Sequence, residues 1–177
     1  MEGVTIAPNR SIRYLGILMD DRLSFGKHIE AVAHRAEERI SSLTRILPNI
    51  GGPNSCKRAV LCSAFHNMIL YGAPVWKKAI STKKTRVLLN KAQRNILLRV
   101  ASAFRTTSGV ALQVITGIVP IDLMITERNY IYENSEEDQS IKKRRARERT
   151  LIEWQTRWEN KTAKAQWIKR LISDINE

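Results

Sequence analysis

The sequence predicts a mainly α protein: a helical bundle preceded by a short N-terminal β-hairpin and followed by C-terminal amphipathic helices. Apolar residues recur at spacings of three and four along most of the 177 residues, and breaks rich in Gly and Pro separate these stretches. Hydrophobic residues make up 43% of the chain, which is enough to form a core. We place the three parts at residues 1–24, 25–134 and 135–177.

The N-terminal hairpin is predicted from two apolar segments. Val4–Ile6 forms the first strand, Pro8–Arg10 the turn, and the run Ile12–Met19 the second strand. Because two strands alone are marginally stable, we expect more sheet to be supplied from upstream of this chain.

Two helices follow the hairpin. The first begins after Ser24, which we predict as its N-cap, and ends at Pro48. The second begins near Asn54 or Ser55 and ends at the break Gly72–Pro74.

A third helix, Thr82–Arg105, is predicted to have one apolar and one cationic side. Its packing side carries aliphatic residues: Leu88, Leu89, Ala92, Ile96, Val100 and Ala103. Its opposite side is basic and carries Lys83, Lys84, Arg86, Lys91, Arg94 and Arg105, with Arg99 at the edge of the apolar arc. Such a helix can pack against a core and present cations to solvent.

The remaining helices are shorter or more polar. Ser108–Thr116 is predicted as a fourth helix, with Ser108 as N-cap and Gly117 as its end, and Pro120 opens a fifth through about Tyr132. After Asn134 a highly charged connector leads into two amphipathic helices.

The positive charge is concentrated in one part of the chain. The net charge is +13, and no Asp or Glu occurs from residue 39 to residue 121, a segment that holds 13 of the 30 Lys and Arg. The flanking segments are neutral as a whole. A long segment of one sign predicts a polyanionic partner, with nucleic acid favoured over an acidic protein or a merely solubilising surface.

Candidate catalytic and metal sites are weak. Asp20-Asp21 is read as a solvated turn rather than a metal site, and Cys56, Cys62 and His66 lack a fourth zinc ligand nearby. Two cysteines are too few for a disulfide framework, and no apolar run is long enough to span a membrane, so we expect a soluble intracellular protein. No cofactor and no small-molecule substrate is predicted.

Two features of the C-terminal part have alternative readings. The run Lys142–Arg149 is a nuclear localisation signal, a phosphate-contacting segment or a solvated helix surface. Trp154, Trp158 and Trp167 either stack on bases or, as their helical spacing favours, pack into the core.

Four blocks of the chain carry a family resemblance: Ser11–Ile29, Leu70–Trp76, Gln93–Ser108 and Gly117–Arg128. In this fixed order they resemble the region after the reverse transcriptase active site in non-LTR retrotransposons of arthropods, in the jockey-like and ribosomal-DNA-inserting groups. Two later segments, Trp154–Trp158 and Trp167–Ile175, are similar to the segment that follows in these polyproteins. The resemblance covers nearly the whole chain.

This resemblance implies a location and a role for each part. Tyr14, Leu15 and Gly16 would belong to the last hairpin of the polymerase palm, which helps to hold the primer end, and the helical part would be thumb-like. The thumb grips the template–primer duplex, either an RNA/DNA hybrid or duplex DNA. The basic residues Lys83, Lys84, Arg86, Lys91, Arg94, Arg99 and Arg105 would then contact phosphates.

The resemblance also limits the activity expected of this chain. The family's catalytic aspartates lie upstream of the matched region, so we expect no polymerase activity without the missing palm, which would also bind the Mg²⁺. The zinc knuckle expected downstream does not occur here either. The alternatives are a helical protein-interaction module or a decayed remnant without activity, and the resemblance favours a nuclear location over a cytoplasmic one.

Overall fold

A computed structural model describes residues 10–43, 48, 52–160 and 166–175. This part of the chain forms a two-stranded hairpin and eight α-helices, which confirms the mainly α class with a hairpin at its start. The helices are α1 (Gly26–Leu43), α2 (Ser55–Leu70), α3 (Ala73–Trp76), α4 (Lys83–Val100), α5 (Gly109–Thr116), α6 (Ile121–Glu133), α7 (Gln139–Asn160) and α8 (Gln166–Leu171). A 3₁₀ segment, Lys77–Ser81, connects α3 to α4.

The hairpin is shorter than predicted and its turn is elsewhere. Strands β1 (Ser11–Tyr14) and β2 (Ile17–Asp20) pair antiparallel, with Tyr14 opposite Ile17. The predicted single strand Ile12–Met19 is therefore wrong, because Leu15 and Gly16 both take positive φ and form a two-residue turn inside it. The predicted strand Val4–Ile6 and the residues Pro8 and Asn9 lie outside the described residues.

Asp20 connects the hairpin to α1. Its carboxylate accepts hydrogen bonds from the Phe25 backbone N–H at 2.8 Å and from the Ser24 hydroxyl at 2.7 Å. The bond from Ser24 lowers the pKa of the Asp20 carboxyl. The predicted N-cap Ser24 is wrong, because its hydroxyl donates to Asp20 and the helix begins two residues later, at Gly26.

The caps of the following helices agree with the sequence. The Asn54 side chain accepts from the Lys57 N–H, Thr82 from the Thr85 N–H and Ser108 from the Ala111 N–H. Gly117 ends α5 in the left-handed conformation. The first helix is described to Leu43, and its predicted continuation through residues 44–47 lies outside the described residues.

Two groups of buried side chains hold the helices together. The larger one joins the hairpin to α1 through α6, with Ile29, Trp76 and Ile96 at its centre. The second joins α5 and α6 to α7 through Leu123, Trp154 and Trp158. The predicted packing role of these two tryptophans is thereby confirmed.

Helix α7 corrects the prediction for the C-terminal part. The run Lys142–Arg149, predicted as part of a polar connector, lies inside this 22-residue helix. Ion pairs between Arg145 and Glu137 and between Arg147 and Glu127 stabilise it, and Arg149 lies over the Tyr130 ring. Trp167 of α8 is 78% exposed, so its predicted packing role is wrong.

Within the described part of the chain, no single helix is long and apolar enough to cross a membrane. Helices α5 and α6 meet the length and composition test only together, as a pair bent by 60°.

Candidate nucleic-acid interface

Helix α4 lies in the middle of the structure and separates the core from a basic surface. Leu89, Ala92, Ile96 and Val100 are buried on one side, as the periodicity predicted, and Leu97, which was not predicted, is buried with them. Lys83, Arg86 and Lys91 are exposed on the other side. Since the helix packs against α1, α2, α5 and α6, its backbone and its exposed face are held in place.

The exposed side of α4 forms one wall of an open groove whose other wall is α7. We call it the α4–α7 groove, and it has a volume of about 690 Å³. Its charged and aromatic lining includes Lys83, Arg86, Lys91 and Arg94 from α4, Trp154 and Arg157 from α7, and Asp122 from α6. Arg157 is ion-paired with Asp122 and Glu153, so its charge is already balanced.

A second groove lies on the α1 side of α4. This α1–α4 groove has a volume of about 620 Å³ and is lined by Lys91, Arg99 and Arg105 together with Glu37 and Asn95. Lys91 borders both grooves. Four of the predicted residues therefore line the first groove and three line the second.

Lys84 is the exception among the predicted basic residues. Its ammonium group is 2.6 Å from the Glu30 carboxylate of α1, and this hydrogen bond raises the pKa of Lys84. Glu37 of α1 likewise accepts a hydrogen bond from Asn95 of α4. Residues 39–121 contain no Asp or Glu, but in the folded protein α1 places the carboxylates of Glu30 and Glu37 along one edge of α4.

Lys83, Arg86 and Lys91 have a different environment. Across the residues that the structure describes, no carboxylate forms an ion pair with any of these three side chains. They line the wall of the α4–α7 groove as uncompensated cations. A phosphate group entering the groove can pair with them without displacing a carboxylate.

Arg94 is engaged within the protein. Its Nε and Nη2 groups donate to the Thr107 carbonyl at 3.2 and 2.9 Å, and Nη2 also donates to the Arg105 carbonyl. Helix α4 ends at Val100, so the predicted helix through Arg105 is too long and Arg105 lies in the following loop. Arg94 therefore holds the loop that carries Arg105.

The buried side of α4 carries an amide that connects four elements. The Gln93 side chain is fully buried, and its Nε2 donates to the Val119 carbonyl at 2.8 Å. Its Oε1 accepts from the Ile121 N–H at 3.0 Å and from the Gln113 side chain at 2.9 Å. His66 of α2 lies 3.1 Å from Nε2. Helical periodicity gave no sign of this network, because a glutamine on the apolar side resembles any other polar interruption.

Cys62 and His66 form a buried pair. Sγ of Cys62 lies 3.7 Å from Nδ1 of His66. Burial raises the pKa of the Cys62 thiol to about 12 and lowers the pKa of His66 to about 4. Among the described residues, no group of three or more His, Cys, Asp or Glu could hold a metal ion.

The hairpin turn Leu15-Gly16, which follows Tyr14 at the end of β1, lies opposite the end of α2. The Tyr71 hydroxyl donates to the Leu15 carbonyl at 3.0 Å. Buried Trp76 donates its indole N–H to the Tyr71 carbonyl at 3.1 Å. Through these two bonds the block Leu70–Trp76 docks the hairpin on the helices.

Part of the hairpin remains uncovered in the described structure. Tyr14 is 63% exposed and Leu15 is 72% exposed, and Ile12 is exposed beside them. Leu15 also has a positive φ, which is unfavourable for a residue with a side chain. Strained and exposed apolar residues of this kind are typical of a contact surface.

Comparisons with known proteins agree with the resemblance described from the sequence. The chain is 30% identical over 92% of its length to the 115 kDa protein assigned to the type-1 retrotransposable element R1DM of Drosophila melanogaster, of which it covers 18%. It is 27% identical over 94% of its length to a Pol polyprotein of element R1 of Nasonia vitripennis, covering 54% of it. It is also 34% identical over 54% of its length to an RNA-directed DNA polymerase assigned to transposon BS of Drosophila melanogaster, covering 11% of it.

The homologues are R1 non-LTR retrotransposon polyproteins and a reverse transcriptase, so the predicted resemblance to polyproteins of this kind is confirmed. The chain spans between about a tenth and about half of the length of these three relatives. No family model and no solved structure matches it.

Proposed function

We propose that this chain, a homologue of part of the R1-type non-LTR retrotransposon polyproteins, is a non-catalytic segment that grips the template–primer duplex of an RNA-directed DNA polymerase. The observation that carries the proposal is the row of uncompensated cations Lys83, Arg86 and Lys91 on the wall of the α4–α7 groove. The partner is an RNA/DNA hybrid or duplex DNA.

The spacing of these cations suits a nucleic-acid backbone. Lys83 and Lys91 are eight residues apart on one helix, which is about 12 Å along its axis. Phosphates follow each other at a rise of about 3.4 Å along each strand of a duplex, so the row faces several of them. Lysine and arginine contacts to phosphate carry no base preference, and a polymerase needs this because the duplex moves during synthesis.

The remaining basic residues divide into two roles. Arg99 and Arg105 line the α1–α4 groove and extend the positive surface beyond Lys91. Lys84 and Arg94 act within the protein, the first through Glu30 and the second through the loop carbonyls. We therefore assign phosphate contacts to five of the seven predicted residues and a structural role to Lys84 and Arg94.

The hairpin is the second part of the proposal. Tyr14 and Leu15 are exposed at a turn that the Tyr71 hydroxyl fixes against the helices. We assign the exposed side of this turn to contact with the polymerase palm and the primer end, with Gly16 providing the second positive φ of the turn. The three parts 1–24, 25–134 and 135–177 then correspond to the palm-terminal hairpin, a thumb-like domain and a connector.

The isolated chain is proposed not to catalyse polymerisation. The Mg²⁺ of the parent polymerase is assigned to the palm, and the described residues here do not fit such a site, because they bring no cluster of metal ligands together. Purified chain incubated with template–primer, nucleotides and Mg²⁺ should incorporate no nucleotide, and template-directed incorporation would refute the assignment. The nucleus is the proposed location.

The proposal is tested with two sets of variants of equal charge. The first replaces Lys83, Arg86 and Lys91 with Gln. The second replaces Lys57, Lys78 and Lys143 with Gln, which are exposed residues that line neither groove. Affinity for a mixed-sequence duplex at constant salt is measured for both.

Replacing Lys83, Arg86 and Lys91 should weaken duplex binding roughly tenfold or more, and by the same factor for two unrelated duplex sequences. The variant with Lys57, Lys78 and Lys143 replaced should retain most of the wild-type affinity. Equal losses in the two sets would mean that only net charge attracts the duplex, and the assignment of the interface to α4 would be wrong.

A further inference from the structure

Phe104 is exposed in a way that the fold does not require. The chain has three phenylalanines, and Phe25 and Phe65 are each 5% exposed whereas Phe104 is 85% exposed. A phenylalanine ring in water forgoes the stabilisation that burial gives to the other two. This position therefore suggests a binding role for the ring.

The loop that carries Phe104 is fixed on both sides. Before it, the Ala103 N–H donates to the Leu98 carbonyl at 3.0 Å, and Ser102 takes a positive φ of 50°. After it, the Phe104 carbonyl accepts from the Thr107 N–H at 3.0 Å, which closes a turn.

The side chain of Arg94, on α4, fixes the same loop. Its guanidinium bonds to the carbonyls of Arg105 and Thr107 tie the turn to α4. Gly109 lies against the Arg94 stem, where a Cβ would be 3.4 Å from Cδ. The backbone of Phe104 is therefore held in a defined position, and the ring is presented at a small entropic cost.

The surroundings of Phe104 are positively charged. Its neighbours Ala103 and Arg105 line the α1–α4 groove together with Lys91 and Arg99. Glu37 is the carboxylate in this groove, and it accepts a hydrogen bond from Asn95. An exposed aromatic ring whose chain neighbours on both sides line a basic groove combines the two features that bind an unstacked nucleotide, a stacking surface and charge for the phosphate.

We propose that Phe104 stacks on an unpaired base at the end of the nucleic acid, and that the α1–α4 groove therefore selects duplexes with a single-stranded end. Within a continuous duplex both faces of each base are covered by its neighbours, whereas an unpaired nucleotide can turn its base toward the ring. This inference rests on the proposed duplex binding and adds the class of duplex that binds best.

The test compares one duplex in three forms: blunt, with one unpaired adenine at an end, and with an abasic nucleotide in place of that adenine. The abasic form keeps the phosphate and removes the stacking face. Wild type should bind the adenine form about 5- to 150-fold more tightly than the abasic form. Phe104→Ala should bind the adenine and abasic forms equally. Phe104→Trp, which keeps an aromatic ring at this position, should still prefer the adenine form.

Two controls separate stacking from other effects. Tyr132→Ala removes another exposed aromatic ring, beside Glu133, and should leave the preference for the base unchanged. The dependence of blunt-duplex affinity on salt should be the same in wild type and Phe104→Ala, because the ring carries no charge.

The outcomes distinguish this inference from the proposed function. Equal wild-type affinity for the adenine and abasic forms, with salt-dependent duplex binding retained, would refute stacking and leave the grip in place. Stacking would also be wrong if Phe104→Ala kept the preference, or if it weakened the binding of all three forms equally, as loss of a general apolar contact would do. Absence of salt-dependent binding to any duplex would overturn both proposals.

Discussion

Gly72 lies directly against Ile17. A Cβ at residue 72 would be 2.6 Å from the Cδ1 atom of Ile17, and Gly72 has a φ of +64° at the junction of α2 and α3. This contact, with the bond from Tyr71 to Leu15, is what seats the hairpin on the helices.

Replacing Gly72 with Ala should therefore destabilise the protein by about 2–4 kcal/mol. The left-handed backbone accounts for about 1–2 kcal/mol, and the overlap with Ile17 adds a similar amount. Urea unfolding monitored by circular dichroism measures the free energy of unfolding.

Gly117 provides the matched control. It has a φ of +65°, but no atom lies within 4 Å of the position that its Cβ would take. Gly117→Ala should cost only the backbone part, about 1–2 kcal/mol. In a Gly72→Ala protein, Ile17→Val removes the overlapping Cδ1 atom and should recover part of the lost stability. Equal losses of stability in Gly72→Ala and Gly117→Ala would show that Ile17 does not clash with a side chain at residue 72.

Gln93→Leu should destabilise the protein by about 3 kcal/mol or more, even though leucine is apolar and of similar size. The change leaves the Ile121 N–H, the Val119 carbonyl and the Gln113 amide without their buried partner, and each costs about 1–3 kcal/mol. Asn95→Ala, which removes one 3.4 Å bond to Glu37 at the surface, should cost less than about 1 kcal/mol. Similar costs for the two changes would contradict the role of Gln93 as the link between helices.

His66 should make the protein less stable in acid. Burial lowers the pKa of the folded-state imidazole to about 4 from an unfolded value of 6.5. As the pH falls from 6.5 to 4 the unfolded chain therefore binds the proton first, and the folded state loses about 3 kcal/mol relative to it. The stabilisation is complete above pH 6.5.

The check is the free energy of unfolding of wild type and His66→Gln between pH 7.5 and pH 4. Other groups titrate alike in both proteins, so the difference isolates His66. Between pH 7.5 and pH 4 the free energy of unfolding of wild type should fall by about 3 kcal/mol more than that of His66→Gln. Parallel curves would show that the His66 pKa is not depressed.

Arg58 should be more important for stability than an ordinary basic residue. It is buried, and its guanidinium donates to the carbonyls of Pro48, Pro53 and Arg99, each at 2.7 Å. Arg58→Met should cost about 3 kcal/mol or more because these carbonyls lose their donors. Arg58→Lys should be less destabilising than Arg58→Met but should still leave the protein less stable than wild type, since one ammonium group cannot reach the three carbonyls that the planar guanidinium binds. A thermal midpoint unchanged in Arg58→Met would contradict this account.

The sequence predicted the helices better than the hairpin, and the reason is physical. Helix α4 was predictable because Leu89, Ala92, Ile96 and Val100 recur at helical spacing and Thr82 can cap it. The turn at Leu15 was missed because leucine rarely takes a positive φ, and only contact with the helices through Tyr71 and Gly72 stabilises it there.

The candidate interface was predicted as a surface but not residue by residue. Lys83, Arg86 and Lys91 were placed correctly on the exposed side of α4. The pairing of Lys84 with Glu30 was not predictable, because the partners are 54 residues apart and meet only when α1 packs beside α4. Charge along a sequence shows where cations are plentiful, and only tertiary structure shows which of them are already paired.

The most direct test of the central claim is the dependence of duplex affinity on salt. For a phosphate grip, the logarithm of the binding constant should fall linearly with the logarithm of salt concentration, with a slope of about −0.9 for each phosphate contacted. Replacing Lys83, Arg86 and Lys91 with Gln should make that slope shallower by about 3, and replacing Lys57, Lys78 and Lys143 should leave it nearly unchanged. An unchanged slope in the first variant, or a wild-type affinity that does not vary with salt, would contradict the claim that α4 grips a duplex.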